Sequence, residues 1–327
     1  MRASDAISVG VVRHIRQSRR AKLALHAISG LAALTVAILV ARHFAQSGWP
    51  LVGADPRLVA AAAVLFLAAY AFKAFGWQRL IAPAERPGSL GLAAASGAAC
   101  VAGAALPGRV DDAVRIAFLR RVPGCRAGVG TLCFSLLMLG LIDTIALTPF
   151  ASAAAASGDL PLALRIGLGI VAFAGFGAAF VVVILPRAAG SRLLTRFRFA
   201  NWLAERATSA RDARRAVVLI ALSWLVRAAG LCLLLSAVGI GLSLPLALVF
   251  LAATAASGAL PIAPVGAATQ AGAGAAALAA SGISTTEAIA FAVAAQALAI
   301  AVGAVVVLLA AAWFGGRRLG LGRALPA

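Results

Sequence analysis

The chain has 327 residues, 63 % hydrophobic and only 12 % charged, with a formal net charge of +19 and a mean hydropathy of +1.01. A soluble domain is about one-quarter charged, so this composition excludes one. The apolar runs are continuous rather than alternating, which excludes a β-barrel and predicts an all-α polytopic integral membrane protein.

The first 22 residues form a basic arm that includes Arg13, Arg16, Arg19, Arg20 and Lys22. Basic residues next to apolar spans set topology, so the excess positive charge is read as a cytoplasmic signal and not as a nucleic-acid surface. No small-residue cleavage site follows the arm, so the first span, about Leu23 to Val40, is read as a retained helix. Span two runs from about Leu58 to Trp77, with Lys73, Arg79 and the interfacial Trp77 at its inner end. The stretch Leu90 to Leu106 is flanked on both sides by arginines, so a full crossing would place one basic flank outside. It is short and broken by Pro107-Gly108, and is therefore expected to re-enter from the cytoplasm.

A span from about Gly128 to Phe150 leads to an external loop, Ala151 to Leu160. The return span, Leu162 to Leu185, is expected to stop at Pro186. A basic cytoplasmic loop covers about 187–215, with an amphipathic surface helix around Phe197 to Arg206, and the next span covers Ala216 to Val238. No charged residue lies between Ala228 and Thr286. Within that interval Pro261, Pro264 and several glycines, Gly266 among them, break two apolar segments into a second hairpin. Ser284 and Glu287 have capping-box spacing at the start of the last helix, which reaches about Phe314. A short basic tail, 315–327, follows. The expected architecture is thus about six full spans plus two re-entrant or broken helical hairpins. Together they form a single transmembrane domain over 23–314, with both termini in the cytoplasm of a bacterial-type plasma membrane.

Two broken segments, one in each half, are the pattern that marks a binding site near the bilayer midplane. The residues expected to line such a site are unevenly distributed. Asp111 and Asp112 cap a helix over Val110 to Arg121, and Asp111 and Arg115 have i,i+4 spacing. Arg109 stands beside Pro107-Gly108 at the mouth of this helix, where side-chain and backbone donors together suit a phosphate. Arg227 lies near the centre of an apolar span, where a charge costs about 2.5–3.5 kcal/mol on insertion scales. Asp143 is the acid expected to meet it, either in direct contact or across one polar cavity. Gln270 offers an amide beside the second hairpin.

Chemistry of other kinds has little support. The four cysteines (Cys100, Cys125, Cys133, Cys232) lack CxxC spacing, and all three histidines lie within the first 43 residues. There is no Ser-His-Asp set, metal-ligand cluster, P-loop or dinucleotide fingerprint. No catalytic residue, metal site or cofactor is expected, and enzyme activity is not.

"LPGRVDDAVRIAFLRR", Leu106 to Arg121, resembles the Pro-Gly-Arg-x-Gly-Glu-x-x-Arg signature of the lysylphosphatidylglycerol synthase transmembrane-region family, also called flippase-like domain proteins. "LPIAPVGAATQAGAG" is similar to that family's second Pro-x-x-Pro-Gly-Gly stretch. Pro107, Gly108, Arg109 and Arg115 match outright, Asp112 replaces a glutamate, and Asp143 falls where the family has an acid. Asp111 stands at a usual glycine. A family Glu-Arg pair is Leu139-Gly140 here, and a family glutamate is Ala271. The resemblance implies a lipid flippase or transporter for a phosphorylated or glycosylated membrane lipid, standing alone without the aminoacyltransferase domain of the family's synthases. Arg109, Asp112, Arg115, Asp143 and Arg227 would then bind the headgroup, between the broken-helix motifs. The other expectation is a non-transporting accessory protein that partners an envelope-biosynthesis enzyme. Neither reading fixes an oligomeric state.

Overall fold

A computed structural model describes residues 42, 51–105, 111–156, 161–188, 210–259 and 266–318. The basic arm, the first expected span, Pro107 to Arg109, the Phe197 to Arg206 stretch, Pro261 and Pro264 lie outside these residues. Among the described residues there are nine helices and no strand. In chain order they are α1 (Pro56–Arg79), α2 (Ser89–Ala105), α3 (Asp111–Leu119), α4 (Val129–Ala156), α5 (Leu162–Ala188), α6 (Ala210–Ala237), α7 (Leu244–Ala259), α8 (Gly266–Ala280) and α9 (Thr285–Arg318).

Five of them, α1, α4, α5, α6 and α9, are long and apolar enough to cross a bilayer. The others are short: α2 has 17 residues, α7 has 16 and α8 has 15. At about 1.5 Å per residue these reach about 23–26 Å, less than the ~30 Å hydrocarbon core. The two short-helix hairpins, α2/α3 and α7/α8, fall where the sequence breaks its apolar segments.

Several boundaries differ from expectation. α4 continues through Pro149 to Ala156, so six residues assigned to an external loop are helical; the Ala-rich run favours helix. α5 likewise carries through Pro186 to Ala188. A proline is tolerated inside a membrane helix because neighbouring groups can satisfy the freed carbonyl. α6 begins at Ala210, inside the expected basic loop. It ends in a Schellman motif: Gly239 has φ +87°, Ile240 N–H donates to Leu235 C=O and Gly239 N–H to Ser236 C=O. The capping pair at α9 is present in modified form. Glu287 N–H donates to Ser284 Oγ, and the Ser284 hydroxyl donates to the Glu287 carboxylate at 2.6 Å.

Between apolar helices in lipid, close approach of small residues drives packing, and glycines mark several such seams. α1 and α6 lie antiparallel: a Cβ on Gly76 would fall 2.7 Å from Ile220 Cγ1, and one on Gly230 would fall 2.9 Å from Phe66 Cδ2. α2 crosses α9 at Gly97 and Gly303, where a Cβ on Gly97 would lie 2.5 Å from the Gly303 carbonyl oxygen. α5 meets α4 with Gly175 against Thr148 and the Thr144 carbonyl. The α2/α3 hairpin closes on itself, with Gly91 facing Val122.

Two main apolar clusters result. One gathers Trp77, Ile81, Leu92, Leu119, Leu132 and Ile142. The other gathers Phe66, Leu231, Leu235, Phe250, Leu278 and Phe291. Trp77 is fully buried and its indole N–H donates to Ser135 Oγ at 3.0 Å, so it is a core residue and not the interfacial anchor expected. Tyr70 and Trp224 pack against both clusters, and Lys73, Asp143 and Arg227 gather around Trp224 at this seam.

Candidate functional site

On α1, Phe66, Tyr70, Lys73 and Trp77 recur at helical spacing and share one face. That face turns toward α4 and α6. Lys73 Nζ donates to Asp143 Oδ2 on α4 at 2.8 Å, and Trp224 Nε1 on α6 donates to Asp143 Oδ1 at 2.9 Å. Both carboxylate oxygens are therefore engaged. The Lys73 ammonium also lies 5.4 Å from the centroid of the Trp224 ring, within cation–π range.

The expected direct contact between Arg227 and Asp143 does not form. Lys73 takes the carboxylate instead, and Arg227 stands one turn beyond Trp224 on α6. Its guanidinium lies over Phe66 at 5.5 Å and over Trp224 at 5.8 Å. Arg227 Nε is buried without a hydrogen-bond partner, and among the described residues no carboxylate pairs with this side chain. Trp224 therefore joins the two expected residues indirectly: its N–H holds Asp143 and its face carries Arg227.

The hairpin contributes a second charged group. Arg115 on α3 donates to Asp112 Oδ1 at 2.6 Å and stands 3.7 Å from Asp111 Oδ2. The i,i+3 partner is thus the closer one, not the i,i+4 partner expected from spacing. Arg115 Nε is also buried and unpaired. Tyr70 packs at the same seam, against residues of both apolar clusters. The Tyr70 oxygen also lies 3.2 Å from where a Cβ on Gly303 would stand, which places it at the α2–α9 crossing.

Lys73, Asp143 and Arg227 therefore meet around Trp224 between α1, α4 and α6, while Arg115, Asp111 and Asp112 form a second charged group on α3. Of the residues expected at the site, Asp143 and Arg227 share Trp224 as a neighbour, and Asp112 pairs with Arg115 on α3. Lys73 was missed as a site residue because it stands six positions before Arg79 and reads as a topology flank. Its i,i+3 relation to Tyr70 on the face that also carries Trp77 was the available signal. Arg109, Pro107 and Gly108 precede α3 and lie outside the described residues. Gly266 opens α8, and Gln270 lies half-buried on that helix, which supplies none of the charged groups above.

A family model described as the lysylphosphatidylglycerol synthase TM region matches residues 22–309. The chain belongs to the lysylphosphatidylglycerol synthase transmembrane-region family. The match spans every described helix and ends within α9, so the polar seam lies wholly inside the family domain. No curated protein and no solved structure is significantly similar to the chain. Membership supports a multi-pass membrane protein related to lipid biosynthesis or flippase-like function.

Proposed function

We propose that the chain is a lipid translocase of the cytoplasmic membrane, with both termini in the cytoplasm and no covalent chemistry of its own. In this reading the α2/α3 and α7/α8 hairpins re-enter the bilayer instead of crossing it. The facing of Gly91 and Val122 supports re-entry for the first, because the incoming and outgoing ends of that hairpin stand side by side. Non-helical backbone at depth must be surrounded by protein or line a wet cavity, which is what a headgroup path requires.

The observation that carries the reading is Arg227. A cation at mid-span normally has a partner; here the nearby acid is committed to Lys73 and Trp224. That leaves a guanidinium braced by two aromatic faces and free to take an external anion. Arg115, whose Nε is likewise buried without a partner, is the second cation assigned to the headgroup in this reading. The ligand class is an anionic or glycosylated membrane lipid whose headgroup carries phosphate. Arg109, matching the family signature, would meet the headgroup at the hairpin turn, and Asp112 would orient Arg115.

Reconstitution in liposomes with labelled lipids tests the reading by transbilayer movement. Arg227→Ala is expected to slow movement of the transported lipid at least tenfold, and Arg109→Ala and Asp112→Ala to slow it as well. Absence of movement for every anionic and glycosylated lipid tried would sink the proposal. It would favour the accessory reading, in which the chain partners an envelope-biosynthesis enzyme; α7 and α8, which carry no charged residue, are the feature that reading explains better.

A further inference from the structure

The end of α1 and the start of α6 enclose a recess of about 340 Å³ lined by Arg79, Arg214, Arg215, Val218 and Leu219. It lies on the same helix pair as Lys73 and Trp224, toward the ends of α1 and α6 that carry the arginines. Its chemistry is one-sided. Three of the five lining residues are arginines and none is acidic. None of the three forms an ion pair among the described residues. Arg79 sits in the last turn of α1, where the helix dipole favours a cation. Arg214 and Arg215 sit in the second turn of α6, near the positive end of that helix, where the dipole favours an anion.

Topology alone requires basic residues on this side of the membrane. It does not require three of them to face one recess, where they repel one another. The remaining walls also point to a particular ligand. Val218 is 61 % exposed, and with Leu219 it continues the recess along α6 toward the bilayer, as an acyl chain would need. Basic pockets between membrane helices at the cytoplasmic face are the sites that hold polyanionic lipid headgroups.

We infer that this recess is a fixed binding site for an anionic phospholipid, with Arg79, Arg214 and Arg215 on its phosphate groups and Val218 and Leu219 against its chains. The bound lipid acts as a counter-ion that fastens α1 to α6. It is distinct from any transported lipid, and the inference stands whether or not the chain moves lipid.

The test uses the purified full-length protein in detergent. Its thermal unfolding midpoint is measured with added cardiolipin, phosphatidylcholine or inorganic phosphate, and retained lipid is counted by native mass spectrometry. Cardiolipin is expected to raise the midpoint by several degrees and to be retained, whereas phosphatidylcholine and inorganic phosphate do neither. In R79Q/R214Q/R215Q the cardiolipin shift is expected to vanish and retention to fall at least tenfold. In R120Q/R121Q/R126Q, which removes the same charge away from the recess, both are expected to persist. The single variant R79Q, with an expected several-fold loss of retention, serves should the triple variant not fold. An equal shift with inorganic phosphate or phosphatidylcholine would overturn the inference. So would a cardiolipin response that survives in the recess variants, or one lost equally in the control.

Discussion

Trp224 and Asp143 are joined by an indole N–H to carboxylate bond of 2.9 Å between α6 and α4, and the same indole ring underlies two cations. One residue thus settles the position of the acid and of the unpaired arginine. Replacing Trp224 with Phe keeps an aromatic face and removes the donor. The expected cost is about 1–2 kcal/mol, the range for leaving a half-buried acceptor short of a bond, read as a lower thermal unfolding midpoint in detergent. Trp224→Ala also removes the face beneath Lys73 and Arg227 and is expected to cost more. Equal effects of the two substitutions would show that the ring does not brace the cations.

The Lys73–Asp143 pair predicts a specific non-additivity. Removing one partner of a buried pair costs about 3–5 kcal/mol, but these side chains are 26 % and 21 % exposed, so solvent screening lowers the expected loss to about 1–3 kcal/mol. Lys73→Met and Asp143→Leu are each expected to destabilise. The double variant should be less destabilised than the sum of the two, because neither charge is left alone. Strict additivity in a thermal double-mutant cycle would mean that the contact contributes nothing.

Two glycines separate packing from propensity. Gly97→Ala drives a Cβ onto a backbone oxygen of α9, which cannot yield as a flexible side chain can. The expected cost is about 1–3 kcal/mol. Gly140→Ala on α4 meets nothing within 4 Å and is expected to be neutral or to stabilise by up to ~1 kcal/mol. Detergent unfolding midpoints of the two variants should move apart; if they coincide, the α2–α9 crossing is looser than described.

Gly239 stands at the left-handed position that closes α6, with φ +87°. An alanine there is expected to cost about 1–2 kcal/mol from the steric penalty of the left-handed region. Fraying should concentrate on the last turn of α6 and show as faster amide exchange there than in the middle of the helix. Unchanged protection would remove the Schellman cap as a contributor.

Much of the architecture was legible because membrane helices leave plain traces: length, absence of charge, and arginines at the ends. Both hairpins were read from Gly and Pro interruptions, and Arg227 and Asp143 stood out because charge at that depth is rare. Pairing was not legible in the same way. Lys73 sits close enough to Arg79 to pass for a flank, and only the tertiary register of α1 against α4 turns it inward. Pro186 misled because proline stops helices more reliably in water than in lipid, where neighbouring segments supply the missing partner. Trp77 misled for a related reason, since an indole suits an interface and suits equally a buried serine that accepts its hydrogen bond.

The glycine seams divide the helices into bodies. α1 with α6 and α2 with α9 are pressed backbone to side chain or backbone to backbone, so each pair is closely packed. Lys73 and Asp143 do not share a seam; they reach across from the α1–α6 body to α4. A contact of that kind behaves as a latch between rigid parts. Trp224–Asp143 and Trp77–Ser135 span the same gap, so parting α4 from the α1–α6 pair requires all three bonds to release, while the glycine seams stay shut.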